Sequence, residues 1–227
     1  MQPTLTQGRI CLALAAVLWS LSGPFTKLLT KVMVEEYDSP PIAPPQIAFY
    51  RVFFAALVLA PTLRPAELQW RPLMLAMGLC FAVMNWLYVT ALSQGTAANA
   101  VLLQYTAPMW MYLASVFWLG EPADRRGAVA LVIGLCGIAV ILVAGWEGGD
   151  IATILIALGS GLTYAGVLIF LRLLRGVPSR WLTVWNHLFG AAFLLPFIVS
   201  EPWPTWQQYV VLFIFGSVQM GLSYWLA

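Results

Sequence analysis

Eight long apolar segments constrain the fold of this chain more than any other feature of its sequence. They cover residues 10–29, 46–63, 73–92, 98–119, 127–145, 151–171, 181–200 and 209–227. Each approaches the roughly 20 apolar residues with which an α-helix crosses the hydrocarbon core of a bilayer. Strands are not indicated, because the alternation of a membrane strand is absent and lipid tolerates no unpaired backbone group. The sequence therefore predicts an all-α polytopic membrane protein with eight transmembrane helices.

Charged residues make up only 9% of the 227 residues, against about 25% in an average soluble domain. So few charges exclude a soluble globular protein, and the high apolar content excludes a disordered one. The net charge of +2 and the lack of a basic stripe argue against a nucleic-acid partner. The expected partner is the lipid bilayer. We expect no metal, cofactor or catalytic residue, because the three cysteines lie far apart and no P-loop is present.

The basic residues are distributed unevenly between the two sides of the predicted bundle. With a cytoplasmic N-terminus, the cytoplasmic segments contain Arg9, Arg64, Arg71, Arg125, Arg126, Arg172, Arg175 and Arg180. The opposite side contains only Lys27 and Lys31, while Arg51 lies within a helix. This asymmetry follows the positive-inside rule. It predicts a multi-pass protein of the cell (inner) membrane whose N-terminus is cytoplasmic.

A weak internal repeat relates the two halves of the chain. With a shift of 136 residues the second and third segments align without a gap with the seventh and eighth. The identical pairs include Phe53–Phe189, Trp70–Trp206 and Tyr88–Tyr224. Because the repeat unit has five segments, the second copy enters the membrane from the opposite side, as in many secondary transporters. Residues 10–145 are predicted to form the first five-helix repeat and residues 151–227 an incomplete second one.

The same alignment predicts which part of the second repeat is missing. Ala227 aligns with Ala91, at the end of the third segment. Counterparts of the fourth and fifth segments do not follow. We therefore expect a chain that lacks the last two helices of the second repeat, rather than a natural eight-helix protein.

Three stretches carry a resemblance to a known family. They are LAAVLWSLSGPFTKLL in the first segment, FYRVFFAALVLAP in the second, and TAANAVLLQYTAPMWMYLASVFWLGEP in the fourth. The fourth is the most specific, with its small residues at the start, Pro108, and Gly120 with Glu121 at the end. The sequence resembles the EamA-type permeases of the drug/metabolite transporter superfamily over nearly all its residues. It departs from their pattern at the C-terminus.

The resemblance implies a ten-helix fold made of two five-helix inverted repeats. It implies a secondary transporter that moves a small metabolite, such as an amino acid, an amine or a similar amphipathic solute. Export by alternating access is the expected mode. The resemblance does not select the solute, and it implies a carrier rather than an enzyme. Whether the protein is a monomer or a homodimer stays open.

Arg51 is the most informative single residue, because a cation inside a membrane span is costly and normally faces a protein interior or an aqueous cavity. It could recognise an anionic group such as a substrate carboxylate. Alternatively, it could extend to the outer headgroups. The repeat aligns Arg51 with His187, the only histidine. His187 could carry a proton during transport, or it could be a neutral residue hydrogen-bonded within the bundle.

Three prolines lie inside the predicted helices. Pro24, Pro108 and Pro196 each lack an N–H and leave a carbonyl four residues earlier without its helical partner. We expect helix breaks at these positions and a polar cavity between the first and fourth helices. Kinks that serve only packing are the alternative. The substrate-pathway candidates are Trp19, Ser20, Ser22, Tyr50, Arg51, Asn85, Tyr88, Gln104, Tyr105, Trp110, Tyr164, Trp185, His187, Gln219 and Tyr224.

Other functions are compatible with parts of the sequence. A lipid-carrier flippase or a non-transporting membrane subunit is the main alternative to a solute carrier. An intramembrane serine hydrolase would need Ser22 to pair with His187, but no GxSxG or HExxH motif is present. Small residues follow helical spacing on the fifth and sixth helices, where they could serve internal packing or a dimer contact.

Overall fold

A computed structural model describes residues 5–144 and 151–226. Every regular element within these two ranges is helical, and no strand occurs among them. The predicted all-α class is therefore confirmed. The predicted ends of two helices, Gly145 and Ala227, lie outside the described residues.

The first half of the chain begins with one long, interrupted helical rod. It consists of α1 (Leu5–Ser20), α2 (Ser22–Lys27), a π-helical segment (Leu28–Val32) and α3 (Met33–Tyr37). Then follow α4 (Pro44–Leu59), 3₁₀ turns at Ala60–Thr62 and Pro65–Glu67, α5 (Leu73–Gln94), α6 (Ala97–Gln104), α7 (Ala107–Phe117) and α8 (Arg125–Ala144).

The second half contains two long helices and a final interrupted rod. These are α9 (Ile151–Leu173), α10 (Ser179–Leu194) with a 3₁₀ turn at Leu195–Phe197, and then α11 (Trp206–Ile214), a π-helical segment (Phe215–Leu222) and α12 (Ser223–Leu226). Each of the eight predicted apolar segments thus coincides with a helix or an interrupted helix.

Six helical segments within the described residues are long and apolar enough to cross a membrane. They are Thr6–Tyr37, Pro44–Thr62, Leu73–Gln94, Ala97–Phe117, Ile151–Leu173 and Trp206–Leu226. The helices α8 and α10 occupy the predicted fifth and seventh segments but are not among these six. The multi-pass membrane architecture is therefore established. The exact number of eight spans and the inverted repeat stay predictions.

The helices begin where the sequence supplies capping groups. The Thr96 side chain accepts a hydrogen bond from the Asn99 N–H at the start of α6. Thr205 and Gln208 form a reciprocal capping box at the start of α11. Pro44 occupies the first turn of α4, where the missing N–H costs nothing. These caps satisfy backbone donors that would otherwise face lipid headgroups unpaired.

Each of the three prolines lies beside an interruption of its helix. Leu21 separates α1 from α2, which contains Pro24. Residues 105–106 separate α6 from α7, which contains Pro108 near its start. Pro196 lies in the 3₁₀ turn that ends α10. The missing N–H of proline and its clash with the preceding turn explain these interruptions.

Neighbouring helices approach each other closely at several glycines. A Cβ on Gly161 of α9 would lie 2.5 Å from the Thr106 Oγ1 and 2.7 Å from the Leu103 carbonyl oxygen. The stripe of small residues on α9 therefore packs internally, against the break between α6 and α7. On α8, by contrast, a Cβ added to Gly134 or to Gly137 would meet no atom within 4 Å. Internal packing within the described residues does not account for these two glycines.

We predict that Gly161→Ala lowers the melting temperature of the detergent-solubilised protein. The added methyl overlaps backbone and hydroxyl atoms, and overpacking of this kind costs about 1–3 kcal/mol. Gly134→Ala is the matched control, since its new methyl meets no neighbour and alanine favours helix over glycine. Tryptophan fluorescence during heating gives the measurement. Equal melting temperatures for the two variants would show that the close approach at Gly161 is absent.

Candidate functional site

Arg51 lies near the middle of the Pro44–Thr62 segment and is only 6% exposed. Its side chain is enclosed by other helices of the bundle rather than extended along the protein surface. The alternative in which Arg51 reaches the outer headgroups is therefore wrong for this structure. A buried guanidinium at this depth needs polar or aromatic neighbours.

Neutral groups from three other parts of the chain surround the Arg51 guanidinium. Its Nε lies 3.2 Å from the Met220 sulfur, and its Nη1 lies 3.4 Å from the Ser22 hydroxyl oxygen. The guanidinium carbon lies 5.7 Å from the centre of the Tyr88 ring and 5.2 Å from that of Phe215. Aromatic faces partly stabilise the cation, but none of these neighbours carries a negative charge.

His187 of α10 is fully buried close to Arg51, which is one of its electrostatic partners. Its Nδ1 lies 2.7 Å from the Thr183 carbonyl oxygen. Because a carbonyl oxygen only accepts, Nδ1 carries the proton of the neutral ring. The Nε2 of this tautomer is then an acceptor, and it has no hydrogen-bond partner among the described residues. The ring packs against Phe81 and Tyr224, at centroid distances of 4.9 and 5.0 Å.

Several amide groups beside these residues are also only partly satisfied. The Asn85 Nδ2 donates to the Phe81 carbonyl oxygen, and the Gln219 Nε2 donates to the Trp19 carbonyl oxygen. Within the described residues, the buried side-chain atoms without a partner are Asn85 Oδ1, Asn186 Oδ1, His187 Nε2, Ser217 Oγ and Gln219 Oε1. Such groups are uncommon in folded proteins, and each calls for a missing partner.

Contacts join these residues into one site, the central polar cluster. It consists of Ser22, Arg51, Asn85, Tyr88, His187, Gln219 and Tyr224. Trp19 borders it, since its ring packs edge-on against Tyr224 at 5.6 Å. The cluster lies where both halves of the chain meet. The helices α2, α4 and α5 come from the first half, and α10 and the Phe215–Leu226 region come from the second.

The remaining candidate residues lie elsewhere. Tyr50 donates or accepts a hydrogen bond with Tyr209 near the start of α4, and Trp185 packs against Trp70 and Trp181. Tyr105 is 64% exposed. The side chains of Ser20 and Trp110 bond within their own helices, and Gln104 and Tyr164 are half-buried.

The position of the cavities also differs from the predicted polar cavity between the first and fourth helices. Ser22 of the first helix meets Arg51, while the adjacent Gly23 packs closely against Ala97 at the start of α6. Tyr105 instead lines a separate cavity of about 590 Å³ between α7 and α8, together with Tyr112 and Gly134. The surface of α9 at Gly161 covers the broken end of α6. The surroundings of Ser22 and of Tyr105 depend on which helices pack against each other, and one sequence alone does not reveal that pairing.

Two buried glutamines close one end of the bundle, and sequence reasoning missed both. The Gln46 Nε2 donates to the Pro202 carbonyl oxygen at 2.8 Å, and the Gln208 Nε2 donates to the Pro40 carbonyl oxygen at 2.7 Å. Each glutamine therefore ties the start of its helix to the loop before the other. The spacing of Thr205 and Gln208 carried a capping signal, but the partner loop could not be read from it.

A cavity of about 460 Å³ lies at the opposite end, where α4 ends and α10 begins. Arg180, Thr183 and Tyr224 are among its lining residues. Thr183 and Tyr224 both contact His187 directly. The cavity therefore leads to the edge of the central polar cluster.

An ion pair joins the two halves of the chain at this same end. Arg172, near the end of α9, forms a two-pronged ion pair with Glu121, which follows α7. The Arg172 Nη1 also lies 3.3 Å from the Ser115 hydroxyl oxygen. Hydrogen bonding to Arg172 holds the pKa of Glu121 below its ordinary value of 4.5. The pair is partly exposed, so solvent screening limits its strength.

Comparison with known proteins agrees with this architecture. The chain is 33% identical over 159 residues to an uncharacterized transporter of Archaeoglobus fulgidus, covering 67% of this chain and 56% of that protein. It is 27% identical over 199 residues to the uncharacterized transporter YvbV of Bacillus subtilis, covering 84% of this chain and 62% of that protein. The chain thus spans less than two thirds of the length of these curated relatives.

A solved crystal structure shares the fold. It aligns with a TM-score of 0.68 at 18% sequence identity, over 98% of this chain and 78% of the other. The fold is that of a multi-pass, all-helical membrane protein, and both curated relatives carry the name transporter. The pattern of the EamA-like transporter family matches residues 6–143, which is more than half of the chain. The chain belongs to the EamA-like transporter family.

We predict that the Glu121–Arg172 pair stabilises the protein only while Glu121 is ionised. Because the folded-state pKa of Glu121 lies below 4.5, the contribution is complete above about pH 4.5. It is lost as the pH falls through the lowered pKa. The melting temperature of the unmodified protein should therefore decrease more steeply below pH 4.5 than that of Glu121→Gln.

The control is Glu36→Gln, an exposed glutamate in α3 at the end of the first helical rod. Its acid profile should match that of the unmodified protein. Combining Glu121→Gln with Arg172→Gln should cost less than the sum of the single changes, since both remove one interaction. Strictly additive melting-temperature shifts would contradict the pair.

Proposed function

We propose that the complete protein is a secondary transporter that moves a small metabolite across the membrane by alternating access. The supporting observation is the central polar cluster, a buried site with an arginine and several unpartnered polar atoms. Such groups within a membrane protein are expensive and commonly mark a substrate pathway. Membership in the EamA-like transporter family supports the same function.

The two ends of the bundle support the alternating-access part of the proposal. At one end Gln46 and Gln208 close the space between α4 and α11. At the other end a cavity reaches Thr183 and Tyr224, and both of these residues contact the buried His187. With a cytoplasmic N-terminus, the closed end is the outer one and the open end the inner one. We infer an inward-open state that would receive a solute for export through the cell (inner) membrane.

The packing of the helices is compatible with inverted repeats. The repeat aligns α4 with α10 and α5 with the final interrupted rod. In the structure α4 packs against α10 and against Phe215–Leu222, and α10 packs in turn against α5. A two-fold axis between the repeats would convert the contact of α4 with Phe215–Leu222 into the contact of α10 with α5. The resulting proposal is that the halves rock about a site near the middle of the membrane.

We predict that the complete gene product catalyses counterflow in proteoliposomes. Vesicles loaded with an unlabelled solute should accumulate the same solute in labelled form, because a carrier exchanges without net driving force. The panel consists of amino acids, small amines and other amphipathic metabolites. Gly161→Ala serves as a variant with a structural change outside the cluster, and empty vesicles give the background.

Two results would redirect the proposal. Accumulation of none of the solutes by folded protein would contradict a carrier of this solute class. If labelled lipid-linked head groups then moved between leaflets, the flippase alternative would take its place. Absence of both activities would favour a non-transporting membrane subunit.

We predict that His187 carries the proton if transport is coupled to protons, since it is the only histidine of the sequence and lies in the cluster. His187→Gln keeps a polar side chain but removes the titration. Accumulation driven by an imposed pH gradient should then fall to the level seen without a gradient, a larger loss than that of counterflow, because the glutamine amide oxygen still accepts a hydrogen bond. Gradient-driven accumulation that survives in His187→Gln would assign coupling to another group.

A further inference from the structure

We propose that Arg51 binds the carboxylate of the transported solute, and that acceptors beside it bind a hydrogen-bond donor adjacent to that carboxylate. This inference rests on the proposed transport function and specifies its substrate class. It predicts small carboxylic acids that carry a hydroxyl or ammonium group near the acid. Neutral amides and esters of the same skeleton are excluded.

The first step of the inference is charge balance at Arg51. The acidic residues that the structure describes lie in loops, in a 3₁₀ turn or at the end of the first helical rod. Within residues 5–144 and 151–226 the one ion pair joins Arg172 to Glu121, and it lies near the ends of other helices. Arg51 therefore keeps a buried positive charge that its protein neighbours do not neutralise. An anionic ligand would supply the missing charge.

The second step is the hydrogen-bonding capacity of the guanidinium. Arginine has five N–H donors in a planar fork, and the hydrogen-bond contacts of Arg51 with the described residues occupy only two directions, towards Met220 and Ser22. Both are poor substitutes for an anion, since one is a thioether sulfur and the other a hydroxyl at 3.4 Å. The fork matches the two oxygens of a carboxylate, which makes this group a better partner than a halide.

The third step concerns the unpartnered acceptors. His187 Nε2, Asn85 Oδ1 and Gln219 Oε1 are buried, and none has a donor among the described residues. Phe81 links Asn85 to His187, and Trp19 links Gln219 to Tyr224, whose ring packs against His187. A solute with an N–H or O–H group next to its carboxylate would satisfy acceptors and cation together. Leaving either set unpaired costs about 1–3 kcal/mol per group.

The cavity at the open end provides a route compatible with this ligand. Its lining includes Arg180, an exposed residue, and Tyr224, which contacts His187. A positive charge at the entrance raises the local concentration of anions. The charge of the route and that of the site therefore favour the same class of solute.

The test compares Arg51→Met with the unmodified complete protein in two measurements. The first is the melting temperature in detergent, with and without lactate, alanine and phenylalanine, and with lactamide, alaninamide and phenylalaninamide. The second is counterflow of the same acids and amides. Arg71→Met is the matched control, because Arg71 is exposed in a loop outside the cluster.

The expected results follow from an unneutralised cation. Replacing Arg51 by methionine should leave the melting temperature of the free protein unchanged or raise it, since an apolar residue replaces an unpaired charge. At least one acid should raise the melting temperature of the unmodified protein and of Arg71→Met, while its amide does not. Arg51→Met should lose this response, and its counterflow of the acid should fall about tenfold or more.

Four results would overturn the inference. A marked fall in the melting temperature of Arg51→Met would mean that a carboxylate elsewhere in the protein already pairs with Arg51. Stabilisation by an acid that persists in Arg51→Met would place its binding elsewhere, and the absence of any response to the acids would remove the ligand class. Counterflow of amides or amines that is equal in Arg51→Met and in the unmodified protein would support the proposed transporter but contradict this inference.

Discussion

A guanidinium enclosed by the helix bundle, with no carboxylate beside it among the described residues, is the constraint on which the rest of the structure depends. A cation at the centre of a span costs about 2.5–3.5 kcal/mol on insertion scales. Arg51 lies against a thioether sulfur, a hydroxyl and two aromatic faces. Desolvated cation–π contacts contribute about 2 kcal/mol, so these neighbours offset part of the cost. The charge itself is still available to a ligand.

Holding Arg51 in this position requires several helices to meet at short distances. Gly216 allows this approach, since a Cβ there would lie 2.8 Å from the Arg51 carbonyl oxygen. The final rod is π-helical at Phe215–Leu222, the segment that brings Phe215 and Met220 to the guanidinium. Interruptions of this type often occur at functional sites. The irregular backbone and the buried cation are therefore parts of the same arrangement.

The helices of this fold could be predicted from sequence because span length and hydrophobicity are local properties. The structure places ends within a few residues of the prediction for most segments, as for α5 and α9. The first helix is longer than predicted, since Lys27, Lys31 and the acidic residues after them hid its continuation to Tyr37. Individual site residues such as Arg51 and His187 were visible because they are polar in apolar segments.

The partners of those residues were not predictable, since helix pairing leaves no local signal in one sequence. Ser22 was assigned to a cavity with the fourth helix, yet it lies beside Arg51. Phe215 and Met220 carry no charge, so nothing marked them as neighbours of a cation. Gln46 and Gln208 looked like ordinary polar residues near helix starts.

The difference between the two ends of the bundle connects the site to a direction of movement. Glutamine side chains bridge to backbone carbonyls at the end where α4 and α11 begin. These are neutral hydrogen bonds, each with a net contribution of about 0.5–1.5 kcal/mol. The Tyr50–Tyr209 hydrogen bond and ring contact join the same two helices, so opening this end would separate α4 from α11. A ligand could favour such a change only by binding more tightly to the open state, and a carboxylate on Arg51 would lie between α4 and the Phe215–Leu222 segment that continues α11.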